Sequence, residues 1–464
     1  MARGVRLRGS NLRDIFRGTN LRDVYFGEGG NDLLSGGAGR DNCNGGSGND
    51  RIDGGADGDT ITGGAGDDRL IGGTGNDSID GGAGNDRISG GSGDDSINAS
   101  SGNDRIDAGA GNDNINGGSG NDIIRARDGN DVITGGTGID TISGDAGNDI
   151  INAGIGDDRM LGGSGDDLMG WRDGEGSDLM TGGDGTDTVA VEGALTRGDN
   201  FTLGKDAQGQ VLLDRPTIDG QAVGQFTLTV STSEIFNVNG VGGNDTFVVN
   251  DLSNTGVTSI VFNGGEGNDS LDARNTAIRI VADGGNGDDL LAGGTGTIQI
   301  PVGTGTATVG DSLTGGGGRD RFLFANDPFT GANPGAGLNR PDLITDYEIG
   351  QDQIALNRQT SGLTNLSFQR GDASQLTGDN NLVVLTDATG FANAGAAARA
   401  IADNSNFTGG RGLFVYFNTS LGISRVVFSE DLANNGRFSV LANLTNLTNV
   451  ANQSSFTAAD FSLA

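Results

Sequence analysis

A nine-residue period, held without a break over residues 27–170, constrains this chain more than any other feature. Sixteen units repeat Gly-Gly-x-Gly-x-Asp-x-U-x, where U is a large apolar residue. Every sixth position is Asp and every eighth is apolar, mostly Ile, with Leu34, Leu70, Met160, Met169 and Cys43 as variants. The fourth position is Gly except at Asp57, which Gly58 follows. A period this strict specifies stacked coils that bury their apolar residues against one another. The stretch from Gly to Asp reads as a turn, because only glycine adopts left-handed backbone freely. The closing x-U-x reads as a minimal strand with U inward and its neighbours outward.

One inward residue per unit makes a thin core, which cannot offset the ordering entropy of so many glycines. The sixth-position carboxylates supply what is missing. Stacking brings them beside turn carbonyls and forms an all-oxygen cage of the kind a hard cation takes. Calcium accepts six to eight such ligands in flexible geometry, whereas magnesium demands near-ideal octahedra and keeps its waters. The expected calcium ligands are therefore Asp32, Asp41, Asp50, Asp59, Asp68, Asp77, Asp86, Asp95, Asp104, Asp113, Asp122, Asp131, Asp140, Asp149, Asp158 and Asp167.

Composition removes several functions. With a net charge of −33 and no histidine, nucleic-acid binding is disfavoured by like charge, and zinc or nucleophile schemes that need His are absent. Low apolar content with high charge marks disorder, here expected only until cations neutralise the carboxylates. Cys43, the one cysteine, occupies a U position and reads as a small buried hydrophobe without a disulfide partner. The N-terminal Met1-Ala2-Arg3-Gly4-Val5-Arg6-Leu7-Arg8 is basic with no apolar stretch behind it, so it is not read as a secretory signal peptide. No segment approaches the length of a membrane span.

The units Gly63-Gly64-Ala65-Gly66-Asp67-Asp68-Arg69-Leu70-Ile71 and Gly81-Gly82-Ala83-Gly84-Asn85-Asp86-Arg87-Ile88-Ser89 resemble the repeats-in-toxin (RTX) family of secreted bacterial proteins, also called hemolysin-type. The resemblance implies an all-β fold, a right-handed parallel β-roll (β-solenoid) in which successive nonapeptides lie on opposite sides. Two units then make one turn, and a calcium ion sits between units n and n+2, giving about fourteen sites. It also implies an extracellular protein whose uncleaved C-terminal signal is read by a type I ABC exporter.

The nine-residue frame extends upstream, where Leu12 and Leu21 replace the turn Gly, so residues 1–26 read as calcium-poor capping coils. The roll itself is assigned to 27–190. Its frame slips by two residues between Trp171 and Asp178, then resumes once with Asp187. Residues 191–317 read as a β-rich domain of wider β-helix-like coils with degenerate calcium turns. Asp245, Asp269, Asp289 and Asp320 are the further candidate ligands, with Asp187, and Asp311 pairs with Asp320. Residues 318–464 are similar to the C-terminal segment of RTX proteins, on Arg319-Asp320-Arg321-Phe322-Leu323-Phe324, Asp342-Leu343-Ile344-Thr345-Asp346-Tyr347 and Gly350-Gln351-Asp352-Gln353-Ile354-Ala355-Leu356. The Ala-rich stretch 394–403 is expected to be helical. The ending Asp460-Phe461-Ser462-Leu463-Ala464 resembles a type I secretion signal.

The function these readings support is a secreted calcium-binding structural or cell-surface-associated protein that folds on meeting extracellular calcium. Every segment falls to repeat, β-domain or export region, and no catalytic residue is assigned. The alternative is a calcium-dependent extracellular polysaccharide-modifying enzyme or a polysaccharide-binding module built on residues 190–310, where the only lysine is Lys205, beside Asp206. A cytolysin would need apolar or amphipathic helical segments near the N-terminus, which are lacking. Arg51, Arg69, Arg87 and Arg105 stand eighteen residues apart and should stack as one column. Asp53 and Asp107 are available to neutralise it, and an anionic cell-surface polysaccharide is a candidate partner. Val132, Ile150 and Leu168 should form an apolar column that a later segment covers, with Trp171 where the chain turns back.

Overall fold

The structure, a computed structural model, describes residues 4–218, 225–302, 305–325 and 341–464. The first three residues of the basic N-terminal stretch lie outside the described residues. By contacts the chain divides into one unit of Met1–Glu192, Asp206–Asp214 and Gly224–Asn237, and another of Gly193–Lys205, Arg215–Val223 and Val238–Ala464.

In the first unit each nonapeptide but the last contributes one six-residue strand, for example Arg51–Ala56, Thr60–Ala65 and Arg69–Thr74. These strands are longer than the sequence pattern predicts, because the parallel ladder runs on through the glycine pair. The second Gly of each pair makes this possible. It takes positive φ, 109° at Gly55 and 114° at Gly64, and a Cβ on Gly64 would collide with the carbonyl oxygen of Gly46 in the preceding coil. At the φ these glycines adopt, a side chain would meet that carbonyl.

Successive units alternate between two parallel sheets. Arg51 pairs with Arg69 and Arg69 with Arg87 in one sheet, while Thr60 pairs with Ser78 in the other. One coil is therefore two units, eighteen residues, as the resemblance implies. Inward U residues form two files, Leu34, Ile52, Leu70, Ile88, Ile106, Ile124, Ile142 and Met160 facing Cys43, Ile61, Ile79, Ile97, Ile115, Ile133, Ile151 and Met169, none more than 3% exposed. Each buried Ile contributes about 2 kcal/mol. Cys43 is buried among them, and burial is the main cause that pushes its thiol up to about 12.

Two expectations about the end of the roll are corrected. Val132, Ile150 and Leu168 do pair in register, but they remain 45%, 48% and 36% exposed. They are large apolar residues on an outward strand face, placed there by strand preference and not by a covering segment. Trp171 also departs from its expected place. The frame slip leaves the alternation of strand Leu168–Arg172 intact, so Met169 and Trp171 both point inward. Trp171 lies across the ladder from Val191, its ring centroid 3.7 Å from that of Phe226, and its indole N–H donates to the Gly176 carbonyl at 2.9 Å.

The second unit keeps parallel coils but spaces them unevenly. Ser259–Glu266 pairs with Arg279–Asn286, and Thr246–Val249 pairs with Asp199–Lys205 and with Ser270–Asp272. Its inward residues are larger, including Phe201, Phe247, Phe262 and Phe322. Beyond them, Gly412–Asn418, Ile423–Ser429 and Phe438–Leu444 form an antiparallel set. The Ala-rich stretch is a helix, Ala394–Ala402, capped by the Asn393 side chain accepting from the Ala396 N–H. Its Ala397, Ala398 and Ile401 pack into a core with Phe414, Tyr416, Val427 and Val440. The C-terminal strand Phe461–Leu463 pairs in parallel with Gln353–Leu356. No helix among the described residues is long and apolar enough to cross a membrane.

Candidate metal centre

The sixth-position Asp residues form two buried files, one at each edge of the roll, and all sixteen from Asp32 to Asp167 are no more than 3% exposed. Each uses one oxygen structurally. The backbone N–H of an Asp donates to Oδ1 of the Asp one coil later, at 2.7–2.9 Å from Asp14 through Asp167. The other oxygen, Oδ2, has no hydrogen-bond partner among the described residues, from Asp32 through Asp167 and at Asp187. A buried carboxylate oxygen without a partner is costly, and here the cost recurs in every coil.

Twelve of the sixteen units open on Gly, the others on Ala99, Ala108, Ala126 and Ala153, and the opening Gly shows what faces that oxygen. A Cβ on Gly63 would collide with Oδ2 of Asp68 and with the carbonyl oxygen of Gly81, one coil later, and the same pair of collisions recurs at Gly45, Gly72 and Gly144. Carboxylate and carbonyl oxygens thus converge on a notch kept open by the absence of a side chain. Among the described residues no three Asp, Glu, Cys or His side chains cluster as a metal site. A cation in the notch would lean on backbone carbonyls beside its carboxylates, which suits calcium. The electrostatics agree with this donor set. Burial is the main cause that pushes the carboxyls of Asp59, Asp68, Asp95, Asp104 and Asp149 up to about 7.

A second ladder, which sequence reasoning missed, runs at position five and in the opposite direction. The Asn85 N–H donates to Oδ1 of Asp67, the Asn103 N–H to Oδ1 of Asn85 and the Asn121 N–H to Oδ1 of Asn103, at 2.6–2.8 Å. At the other edge, Asn112, Asn130, Asn148 and Asp166 continue the same pattern. Its signal was present: position five is Asn or Asp in every unit except at Arg40, Gly58 and Ile139.

The other candidates sort by how their oxygens are used. Asp14 and Asp23, in the coils that carry Leu12 and Leu21, accept the Ser10 and Thr19 N–H groups at 2.7 Å on Oδ2, so that oxygen is already satisfied. Asp178, absent from the expected ligands because it follows the frame slip, takes the place of a sixth-position Asp: it accepts the Asp158 N–H at 2.8 Å, and burial above all pushes its carboxyl up to about 8. In the second unit Asp199, Asp245, Asp269, Asp289, Asp320 and Asp352 form one more file. Each N–H donates to Oδ1 of the next Asp at 2.6–3.0 Å across uneven spacings. Asp245, Asp269, Asp289 and Asp320 are at most 1% exposed, and Oδ2 of Asp269, Asp289 and Asp320 has no partner among the described residues. Asp199 is different, its carboxylate held by the buried Arg215 guanidinium at 3.1 Å. Both oxygens of Asp311 and of Asp352 accept backbone N–H groups.

The family model for the RTX calcium-binding nonapeptide repeat, four copies long, matches in overlapping windows across residues 17–169 and again at 172–192. The chain is an RTX repeat protein. A second family model, described as peptidase M10 serralysin C terminal, matches residues 219–393 of this RTX chain, on both sides of the boundary expected at 317/318. The RTX nonapeptides bind calcium in multiple copies, and the two matched modules are those of type I secreted, calcium-binding proteins. Neither matched module is itself catalytic. No curated protein matches the RTX chain.

Proposed function

We propose that the calcium of this RTX protein is held by the sixth-position aspartates, Asp32 through Asp167 with Asp187, and in the second unit by Asp245, Asp269, Asp289 and Asp320. On this reading the chain is a structural or cell-surface-associated protein that stays unfolded in calcium-poor cytosol, leaves through a type I ABC exporter and folds outside. The observation that carries the proposal is the file of buried Oδ2 atoms, Asp32 through Asp167 with Asp187, that have no hydrogen-bond partner among the described residues and that at Gly-led units such as those of Gly45, Gly63, Gly72 and Gly144 lie beside a carbonyl of the next coil. Residues 1–26, where Oδ2 of Asp14 and both oxygens of Asp23 already accept backbone N–H groups, act as the calcium-poor cap. The test is circular dichroism of the purified full chain with calcium and with chelator. Calcium should bring in the β-spectrum, and a β-spectrum unchanged by chelator would overturn the proposal.

A second reading, binding of an anionic polysaccharide, has one observation in its favour. Arg51, Arg69, Arg87 and Arg105 pair in register on one outward sheet face, and all four are exposed. Asp107, expected to neutralise this column, is instead held by Arg127 through two bonds of 2.8 Å. Replacing all four arginines with Ser should release the chain from an immobilised anionic polysaccharide in calcium buffer, and undiminished retention would dismiss this reading. The enzyme alternative gains nothing from Lys205, whose ammonium is engaged by Ser253 and Asp251.

A further inference from the structure

The file of aspartates in the first unit should end with an uncapped donor, because each Asp N–H depends on a carboxylate one coil later. At Asp187 no nonapeptide follows, and the acceptor comes from far along the chain: the Asp187 N–H donates to Oε2 of Glu234 at 2.9 Å. The strand Phe226–Ser231 supplies the missing coil. It pairs in register with the strand before Asp187, Leu179 with Thr229 and Thr181 with Ser231. The N–H groups of Glu234 and Ile235 return to the Asp187 carbonyl at 3.1 and 3.0 Å, just as the Arg69 N–H returns to the Asp50 carbonyl within the repeats. Glu234 therefore stands where a sixth-position Asp would stand, and Thr232 where the first Gly would. Three residues, Thr232-Ser233-Glu234, take the place of the six from Gly182 to Asp187, and the longer Glu side chain spans the difference.

The marks of the regular notch are all present here. Oδ2 of Asp187 is fully buried and has no partner among the described residues, and a Cβ on Gly182 would collide with that oxygen and with the Thr232 carbonyl oxygen. Ser233 adds a buried hydroxyl, 3% exposed, that also lacks a partner among the described residues. We propose that Asp187, the Thr232 carbonyl and Glu234 form a closing calcium site outside the nonapeptide pattern, and that its occupation docks the strand Phe226–Ser231 onto the end of the roll. This rests on the reading of the sixth-position aspartates as calcium ligands, but it adds a ligand that no repeat encodes.

The chain carries one tryptophan, and Trp171 packs against Phe226 at the start of the docking strand with the rings tilted by 32°, so its emission reports this event while circular dichroism reports the roll as a whole. Glu234→Gln keeps an acceptor for the Asp187 N–H but removes the charge. Calcium titration of the full-length variant should move the Trp171 midpoint to roughly tenfold higher calcium and leave the dichroism midpoint where it was. Asp187→Asn should do the same, and serves if the first variant fails to dock at any calcium concentration. A Trp171 midpoint unmoved in Glu234→Gln, with only Glu234→Ala disturbed, would show that Glu234 is merely a cap and would overturn the site. Loss of the calcium response in the unmodified chain by both signals would instead count against the sixth-position reading itself.

Discussion

At the scale of single residues, each sixth-position Asp uses one oxygen to accept a backbone N–H and, on the proposed reading, the other to hold calcium, and substitutions can separate the two. Asp104→Asn keeps an acceptor for the Asp86 N–H, now 2.7 Å from Oδ1, and loses the charge beside the notch. It should raise the calcium needed for half-folding while leaving the calcium-saturated structure in place. Asp104→Ala strands the donor as well and should cost about 2 kcal/mol more in urea denaturation at saturating calcium. Protons act on the same oxygens. Burial raises the folded-state pKa of Asp59, Asp68, Asp95, Asp104 and Asp149 to about 7, against an ordinary value near 3.9 in the unfolded chain. Without calcium, their protonated forms favour the folded state fully below about pH 4, and that contribution disappears as pH rises through about 7. Calcium-free protein should thus gain β-signal on acidification, whereas the calcium midpoint should worsen in acid because protons compete for the carboxylates. Dichroism-monitored calcium titrations at about pH 5 and about pH 8 check both signs.

Among the turns and strands, the glycines are not equivalent. At position two the chain already accepts side chains, with Ser100 at φ 76° and Asp145 at φ 72°, within the left-handed region that L-residues reach at modest cost. Gly82, one coil before Ser100, sits at φ 101° with the Gly64 carbonyl in the way of a Cβ, and Gly82→Ser should cost about 1 kcal/mol as its backbone relaxes to the φ of Ser100. Position four is stricter. Gly84 sits at φ 134°, and a Cβ there would collide with the Gly66 carbonyl, so Gly84→Ser should cost about 2–3 kcal/mol in the same urea measurement. What the sequence made legible at this scale follows from locality. The inward Ile, the coil of eighteen residues and the buried Asp files all repeat, and each could be read from one nonapeptide multiplied. The strand length could not be read, because glycine is a poor strand former and only ladder pairing with a neighbouring coil extends the strands through the Gly pair. Trp171 and Glu234 were opaque for a different reason: the one depends on a two-residue slip that preserves strand alternation, and the other on a partner 47 residues away.

For the molecule as a whole, calcium stands against a net charge of −33. Extracellular sites bind at about 10⁻⁴–10⁻³ M, so each contributes about 1.4 kcal/mol at ten times Kd, and about fourteen together reach roughly 20 kcal/mol as an upper bound. The C-terminal residues belong to this balance. Phe461 is buried, its strand lies on Gln353–Leu356, and Asp460 accepts the Gly350 N–H. Removing residues 461–464 should cost about 3–5 kcal/mol in calcium-saturated urea denaturation, so a secretion defect in such a truncation would be no evidence of a signal until the damaged fold is accounted for.

Because a full coil takes two nonapeptides, the roll can change length only in steps of eighteen residues. Deleting or inserting a single unit would carry every later unit to the opposite sheet. Between Arg51 and Arg105 it would split the file of Arg51, Arg69, Arg87 and Arg105 between two faces, and anywhere in the array it would present the Phe226–Ser231 strand to the wrong edge. The array is in this sense a ruler graduated in pairs, and an even number of nonapeptides ahead of Trp171 is a condition for its two ends to meet their proper neighbours.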